Sequence, residues 1–254
     1  PNGIHPDQHF LVTNPSNPLQ FIESGDGGVI RSSGELVDRS SWCDTRPLPA
    51  ANMARCKQML SAIPSKLDSV SSGLSTLQFQ SLSASPKNPK HELQGGTQDN
   101  GTFVFTGNKD TWMQEIYGDG GQSGYSAADK RIRFNSFFGQ NHDANFRDGD
   151  PEKWVIISGK IASSPEGSNF YAPIIADPST ANAGTIFEGS QSVWRTQDWG
   201  GDRDFLEANC PEFTTPSTNP NCGDFVRIGP AGNTDLTAAG YGADRAGTFV
   251  AAIE

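Results

Sequence analysis

Positive charge is scarce in this chain. Its 19 lysines and arginines face 29 aspartates and glutamates, which leaves a net charge of −10. An acidic surface repels phosphates and anionic lipid, so nucleic acid and membrane surfaces are not expected partners. Long apolar runs are also missing: none approaches the roughly 20 residues that a spanning helix needs. Cysteine is limited to 4 residues, with no Cys-x-x-Cys pair to suggest a zinc or redox centre. There is no Gly-x-Ser-x-Gly nucleophile elbow and no spaced acidic series of the EF-hand kind. Hydrophobic residues make up only 34% of the chain, too few for one deep core but enough for flat sheets packed face to face. Pro1 opens directly onto polar sequence, so any secretory signal is expected to have been removed already.

What the chain has is turns, with 28 glycines and 17 prolines. They fall into a recurring phrase: a proline turn, a short apolar run and a glycine-rich corner. It reads Asn14-Pro15-Ser16-Asn17-Pro18, Leu19 to Glu23, then Gly25-Asp26-Gly27-Gly28. It returns as Ser85-Pro86-Lys87-Asn88-Pro89, Glu92 to Gln94, then Gly96-Thr97-Gln98-Asp99-Asn100-Gly101. A copy without proline begins at Ala128-Asp129-Lys130, and another with proline at Asp177-Pro178-Ser179-Thr180. The spacing of the later copies, roughly 40–50 residues, is that of a four-stranded propeller blade. The expectation is an all-β propeller of four-stranded antiparallel blades: a single domain over residues 1–254 with about four blades, forming part of a larger propeller. Gly247-Thr248-Phe249-Val250-Ala251-Ala252-Ile253 reads as the first strand of a further blade.

Two stretches, at about 43–72 and 202–222, interrupt the repeat. Met53, Cys56, Leu60 and Ile63 recur at helical steps, so a short amphipathic helix is expected there, ended by Pro64. The cysteines form two local pairs, Cys43 with Cys56 and Cys210 with Cys222. Local disulfides inside insertions imply an oxidising, extracellular or periplasmic setting.

Val193-Trp194-Arg195 followed by Thr196-Gln197-Asp198-Trp199-Gly200-Gly201 resembles the Asp-box of BNR-repeat propellers. That group includes sialidases, xyloglucanase-type glycoside hydrolases and sortilin-like receptors. Gly25-Asp26-Gly27-Gly28 and Gly118-Asp119-Gly120-Gly121 resemble phrases of its large secreted bacterial members. The resemblance covers roughly residues 5–45 and 73–254 and implies a propeller with Thr196, Asp198 and Gly200 in a structural turn. The corresponding Arg31-Ser32-Ser33-Gly34-Glu35 lacks the aspartate. One fold carries many activities, so the resemblance does not settle function.

Three groups of residues carry the chemistry. His5, Asp7 and His9 alternate along an expected strand, which would place two imidazoles and a carboxylate on one face as a ligand-binding or metal site; a polar channel lining is the plainer reading. Asp26, Asp99 and Asp119 sit in glycine-rich turns. They are the candidate catalytic carboxylates of a glycosidase and also suit Ca²⁺ or another divalent cation, while tight hairpins use the same residues. Trp112 and Tyr125 are candidate sugar-stacking aromatics, and His142 lies in an expected loop. Gly118-x-Gly120-Gly121-x-x-Gly124 is only superficially similar to a dinucleotide loop, because no βαβ unit surrounds it. The readings are a glycan- or protein-binding scaffold module, a xyloglucanase- or sialidase-like hydrolase using rim aspartates, and a subunit of an extracellular assembly whose edge strand pairs with another chain.

Overall fold

The computed structural model describes residues 5–74, 77–228 and 249–253. It divides into two compact units, Pro1–Thr76 and Leu77–Glu254. In the first, β1 (Gln8–Asn14), β2 (Asn17–Gly25) and β3 (Gly28–Ser32) form a meander. A ribbon of β4 (Leu36–Val37) and β5 (Ile63–Pro64) brackets an insertion, and β6 (Leu67–Ser69) returns to pair with β3. The turns at Pro15–Ser16 and Asp26–Gly27 set the hairpins, as the proline and glycine phrases require. Inside the insertion, α1 (Ala50–Leu60) follows its alanine-rich sequence but fully buries none of its side chains. It is fastened instead by the Cys43–Cys56 bridge and by Lys57 against Asp44 at 2.6 Å. Pro64 does not end this helix, which stops at Leu60; it lies in β5.

The second unit holds three four-stranded antiparallel meanders in chain order. They are β7 (Ser83–Ala84) to β10 (Trp112–Ile116) through β8 (Leu93–Thr97) and β9 (Gly101–Phe105); β11 (Ser123–Tyr125), β12 (Arg133–Ser136), β13 (His142–Asn145) and β14 (Trp154–Ile156); and β15 (Ile174–Ala176), β16 (Ile186–Gly189), β17 (Val193–Thr196) and β18 (Val226–Arg227). Short helices α2 (Gly159–Ala162) and α3 (Arg203–Asn209) lie between strands. The leading strands are neighbours, with β11 between β7 and β15, so the sheets fan out from a shared inner edge. With the sheet of the first unit there are four such sheets among the described residues, the expected all-β architecture of antiparallel propeller blades. No helix among the described residues is long and apolar enough to cross a membrane.

Neighbouring sheets in this unit are joined by residues one repeat apart. Ser81 Oγ donates to Gly121 O and Gln94 Nε2 to Phe134 O, both over 40 residues, and Trp154 Nε1 donates to Glu115 O over 39. Backbones also touch: a Cβ on Gly96 would meet Gly121 O at 2.1 Å, so only glycine fits there. Buried polar side chains therefore share the core with Phe134, Trp154, Ile156 and Ile186, which suits the low hydrophobic content. The most charged of these contacts is around Arg133, 2% exposed, with Glu115 and Asp148 each at 2.6 Å and Glu92 at 3.9 Å. Lys130 also holds Glu92, at 2.7 Å. Three carboxyls meet two cations, and burial outweighs Arg133 in raising Glu115 to about 7. The short Arg133–Glu115 contact and the raised pKa pull in opposite directions; burial is the larger effect, and the neighbouring Asp148 and Glu92 carboxyls add to it.

The turn after the third strand recurs with different residues. Thr196 Oγ1 accepts the Gly200 N–H at 2.9 Å and donates to Asp198 at 3.0 Å. Asn145 Oδ1 accepts the Arg147 and Gly149 N–H groups in the same pattern, and Ser32 Oγ accepts that of Gly34. The side-chain oxygen, not aspartate, is the shared part. Of the expected final strand, Gly247 and Thr248 lie outside the described residues; Val250 bonds to Ser190 O at 2.8 Å, with no strand from Phe249 to Ile253.

Replacing Trp154 with alanine removes a completely buried ring and its bond to Glu115 O. The expected loss is about 3–5 kcal/mol, read as a lower denaturant midpoint; an unchanged midpoint would contradict the role given to this contact.

Candidate binding rim and its carboxyl groups

In the second unit, turns between second and third strands share one end of the sheets with the links from each fourth strand to the next sheet. Asp99 lies in the β8–β9 turn and Asp119 in the link after β10, and the Asp99 N–H donates to Asp119 Oδ1 at 3.3 Å. Asp99 adopts a φ of 63°, a left-handed conformation that Asp tolerates in a turn. Gly120 N–H donates to Thr97 O at 2.9 Å and Gly121 N–H to Ser136 O at 2.8 Å, tying the turns into a continuous rim. Tyr171 joins them: burial, then Asp119 and Asp99, push its hydroxyl up to about 12. Two of the three aspartates read from the sequence are thus neighbours.

Beside them opens a cavity of about 240 Å³, lined by Tyr117, Asp119, Phe137, Phe138, Asn141, His142, Asp143, Ser158 and Glu212 among others. Two aromatic pairs flank it. Tyr117 stacks on Phe213 with centroids 5.5 Å apart, and Phe138 on Phe170 at 5.9 Å. All four rings are about half exposed (Tyr117 49%, Phe138 51%, Phe170 56%, Phe213 56%), so their faces reach solvent.

The floor of the cavity is acidic. Asp143, on β13, is 1% exposed. Burial raises its carboxyl well above the usual range, and Glu212 raises it further. Glu212 is raised by burial too, against the lowering effect of hydrogen bonds from Tyr117 and Asp143. Tyr117 Oη donates to Glu212 Oε1 at 3.0 Å, and its own hydroxyl is pushed up to about 12, by burial first and Glu212 next. Two carboxyls in hydrogen-bond contact hold a proton between them, because both cannot ionise side by side in a buried place. His142, completely buried, has no hydrogen-bond partner on either ring nitrogen and lies 3.7 Å from Glu188.

The remaining sequence candidates lie elsewhere. Tyr125 is 7% exposed with its ring over the Arg133 guanidinium at 5.1 Å, so it packs between sheets rather than facing the rim. Trp112 starts β10, at the end away from Tyr117, and packs on Phe79 and Phe105. In the first unit, β1 starts only at Gln8, and its register shifts between Gln8 and Phe10. A bulge at His9 breaks the alternation, so His5, Asp7 and His9 do not form one strand face. Instead Asp26 comes in through the β2–β3 turn: His5, Asp7 and Asp26 bring one ligand atom each within 4.8 Å, and His9 Nε2 meets Asp26 Oδ1 at 2.7 Å. One imidazole and two carboxylates suit a divalent cation. Asp26 therefore belongs with this group in the first unit, whereas Asp99 and Asp119 are on the second. Thr196, Asp198 and Gly200 hold the β17 turn.

Sequence reasoning missed Asp143, Glu212 and the phenylalanines. The apolar Phe137-Phe138-Gly139 turn was the available signal for the rings. Nothing in the sequence links Asp143 to Glu212.

No protein-family model matches the chain, and no curated protein matches it in sequence. Among solved structures it is similar to an ancestral GH74 enzyme, with 12% identity, 78% of this chain and 24% of that one covered, and a TM-score of 0.39. It is also similar to the GH74 xyloglucanase from Xanthomonas campestris, with 10% identity, 76% and 28% covered, and a TM-score of 0.37. The chain thus spans about a quarter of the length of these enzymes. Likeness at this level carries no argument about activity, and the architecture rests on the sheets themselves.

An acid whose pKa is higher folded than unfolded binds its proton more tightly when folded. The linked stability is complete below the ordinary carboxylate range and is lost as pH rises through the folded value. The protein is therefore expected to lose stability as pH rises from the ordinary carboxylate range, near 4.5 for Glu115, through about 7, where the folded Glu115 titrates. Asp143→Asn flattens that decline, leaving the shares due to Glu115, Glu212 and Asp224, and melts above the parent at pH 8 in thermal unfolding. A variant less stable than the parent at pH 8 would show that the Asp143 carboxyl is not held up by burial.

Proposed function

We propose that this chain is a secreted propeller module that binds a glycan, or a glycan-bearing protein, on the rim of its second unit. The observation that carries the reading is the pair of half-exposed aromatic stacks, Tyr117–Phe213 and Phe138–Phe170, each of which lends one ring, Tyr117 or Phe138, to the lining of a cavity that also holds carboxyl groups. Sugar rings present apolar faces to aromatic rings and hydroxyls to carboxylates, and ligand sites characteristically combine an apolar lining with a few convergent polar groups. Two disulfides support an extracellular location.

Glycoside hydrolysis by rim carboxyls is the second reading, favoured by a cavity in which burial raises two carboxyls, Asp143 and Glu212, in the direction a general acid requires. Asp143 and Glu212, however, are in hydrogen-bond contact, whereas glycosidases space their carboxyls at about 5 Å or more. A sialidase-like site is supported least. No arginine lines the cavity; Arg131 pairs with Asp129, Arg133 with Glu115 and Arg147 with Glu207.

Binding to an array of oligosaccharides, followed by calorimetry, tests the reading. Tyr117→Ala and Phe138→Ala are each expected to weaken a hit about tenfold, on the order of 1.4 kcal/mol, while Trp112→Phe leaves it unchanged. An intact protein with no glycan ligand sinks the proposal. Release of reducing sugar, abolished by Asp119→Asn, would favour hydrolysis over binding alone.

A further inference from the structure

The cavity has a composition that stacking on a neutral sugar does not account for. Its walls carry three carboxyl groups, from Asp119, Asp143 and Glu212, and no lysine or arginine. Asp143 Oδ2 is buried and receives no N–H or hydroxyl donor, and neither ring nitrogen of the adjoining His142 has a partner. Apart from the proton it shares with Glu212, the buried Asp143 carboxyl has no donor, and a buried carboxyl short of donors is costly, so this wall is set to receive a group rich in N–H.

A bare divalent ion is a poor fit. Among the described residues, the only three His, Cys, Asp or Glu ligand atoms found within 4.8 Å of one another are those of His5, Asp7 and Asp26, in the other unit. The carboxyls around this cavity are too spread to close on a single ion, which leaves an organic cation of several atoms. An ammonium group supplies three donors and one positive charge, and the neighbouring Tyr117 ring adds a cation–π contact. The volume, about 240 Å³, lies below the usual range for drug-sized ligands and suits a single ring. A lysine side chain would satisfy the carboxyls but leave both exposed aromatic pairs without a flat partner.

We propose that the cavity binds the protonated amino group of a sugar, so that the preferred glycan carries hexosamine residues with free rather than acetylated amines. This rests on the glycan reading above and names its ligand class. As the ammonium binds, the proton shared by Asp143 and Glu212 passes to solvent and the two carboxylates face the positive charge, while the ring that bears it lies against Tyr117.

Calorimetry on the full chain with four probes tests this: a β-1,4-linked glucosamine trimer, its fully N-acetylated form, the corresponding glucose trimer, and Nα-acetyl-lysine amide. The glucosamine trimer is expected to bind at least tenfold more tightly than the other three. Glu212→Gln and Asp143→Asn should each remove at least that preference. Asp110→Asn, the same charge change on an exposed loop, should leave affinity within twofold and so rule out general attraction to an acidic protein. Equal binding of the three trimers overturns the inference but leaves the glycan reading in place. Binding of the lysine amide alone, or of none of the probes, overturns the inference, and loss of preference in Asp110→Asn does so too. Circular dichroism of the two cavity variants confirms that they fold; the lesser-buried Glu212 position provides the test should Asp143→Asn fail to.

Discussion

Contact between neighbouring sheets, made by residues one repeat apart, is the constraint on which the second unit depends. Each blade is only four short strands wide and cannot cover its own faces. What covers them is the next blade, through Gln94 on Phe134, Trp154 on Glu115 and glycine backbones in contact at Gly96 and Gly121. Many of these contacts are polar and buried, so stability rests on hydrogen bonds being completed in low dielectric as much as on apolar area. Arg133 is the extreme case. It occupies the space between sheets that an apolar core would fill with leucine or phenylalanine, and its charge obliges Glu115, Asp148 and Glu92 to gather round it.

The same stacking creates the rim. Because sheets meet at their inner edges, the turns at one end are drawn into a row, and side chains from separate repeats become neighbours. Asp99 and Asp119 come together in this way, and so do Phe138 and Phe170. The cavity is completed from outside the repeat: Glu212 and Phe213 come from the segment after α3, where Glu212 N–H is held by Trp154 O at 3.0 Å.

Much of the architecture was legible because turn chemistry is local. Glycine and proline corners marked the hairpins, three- and four-residue spacing marked α1, and two cysteine pairs marked the insertions. Asp99 and Asp119 were legible for the same reason, as carboxylates in glycine turns. The Asp143–Glu212 pair was not, since it forms only when a disulfide-bearing excursion folds back over a strand end, and no periodicity records that. His5, Asp7 and His9 looked like one strand face until the register shift near His9 set them apart and antiparallel pairing brought in Asp26. The turn after the third strand was read at Asp198 and, as a copy without aspartate, at Arg31–Glu35, but not at Asn145. Ser32 and Asn145 serve its geometry with other side chains, and a pattern based on residue type passes over Asn145.

The Cys210–Cys222 bridge has an effect beyond holding its own loop. Glu212 lies two residues past Cys210, inside the covalent ring, so its position over Asp143 is fixed by thiol oxidation as well as by noncovalent contacts. Both cysteines are also buried in the core, where Cys210 O accepts the Ile156 N–H of β14, so strand and pocket wall share that bond. Completion of the pocket is therefore favoured in an oxidising compartment, where the ring that carries Glu212 is closed.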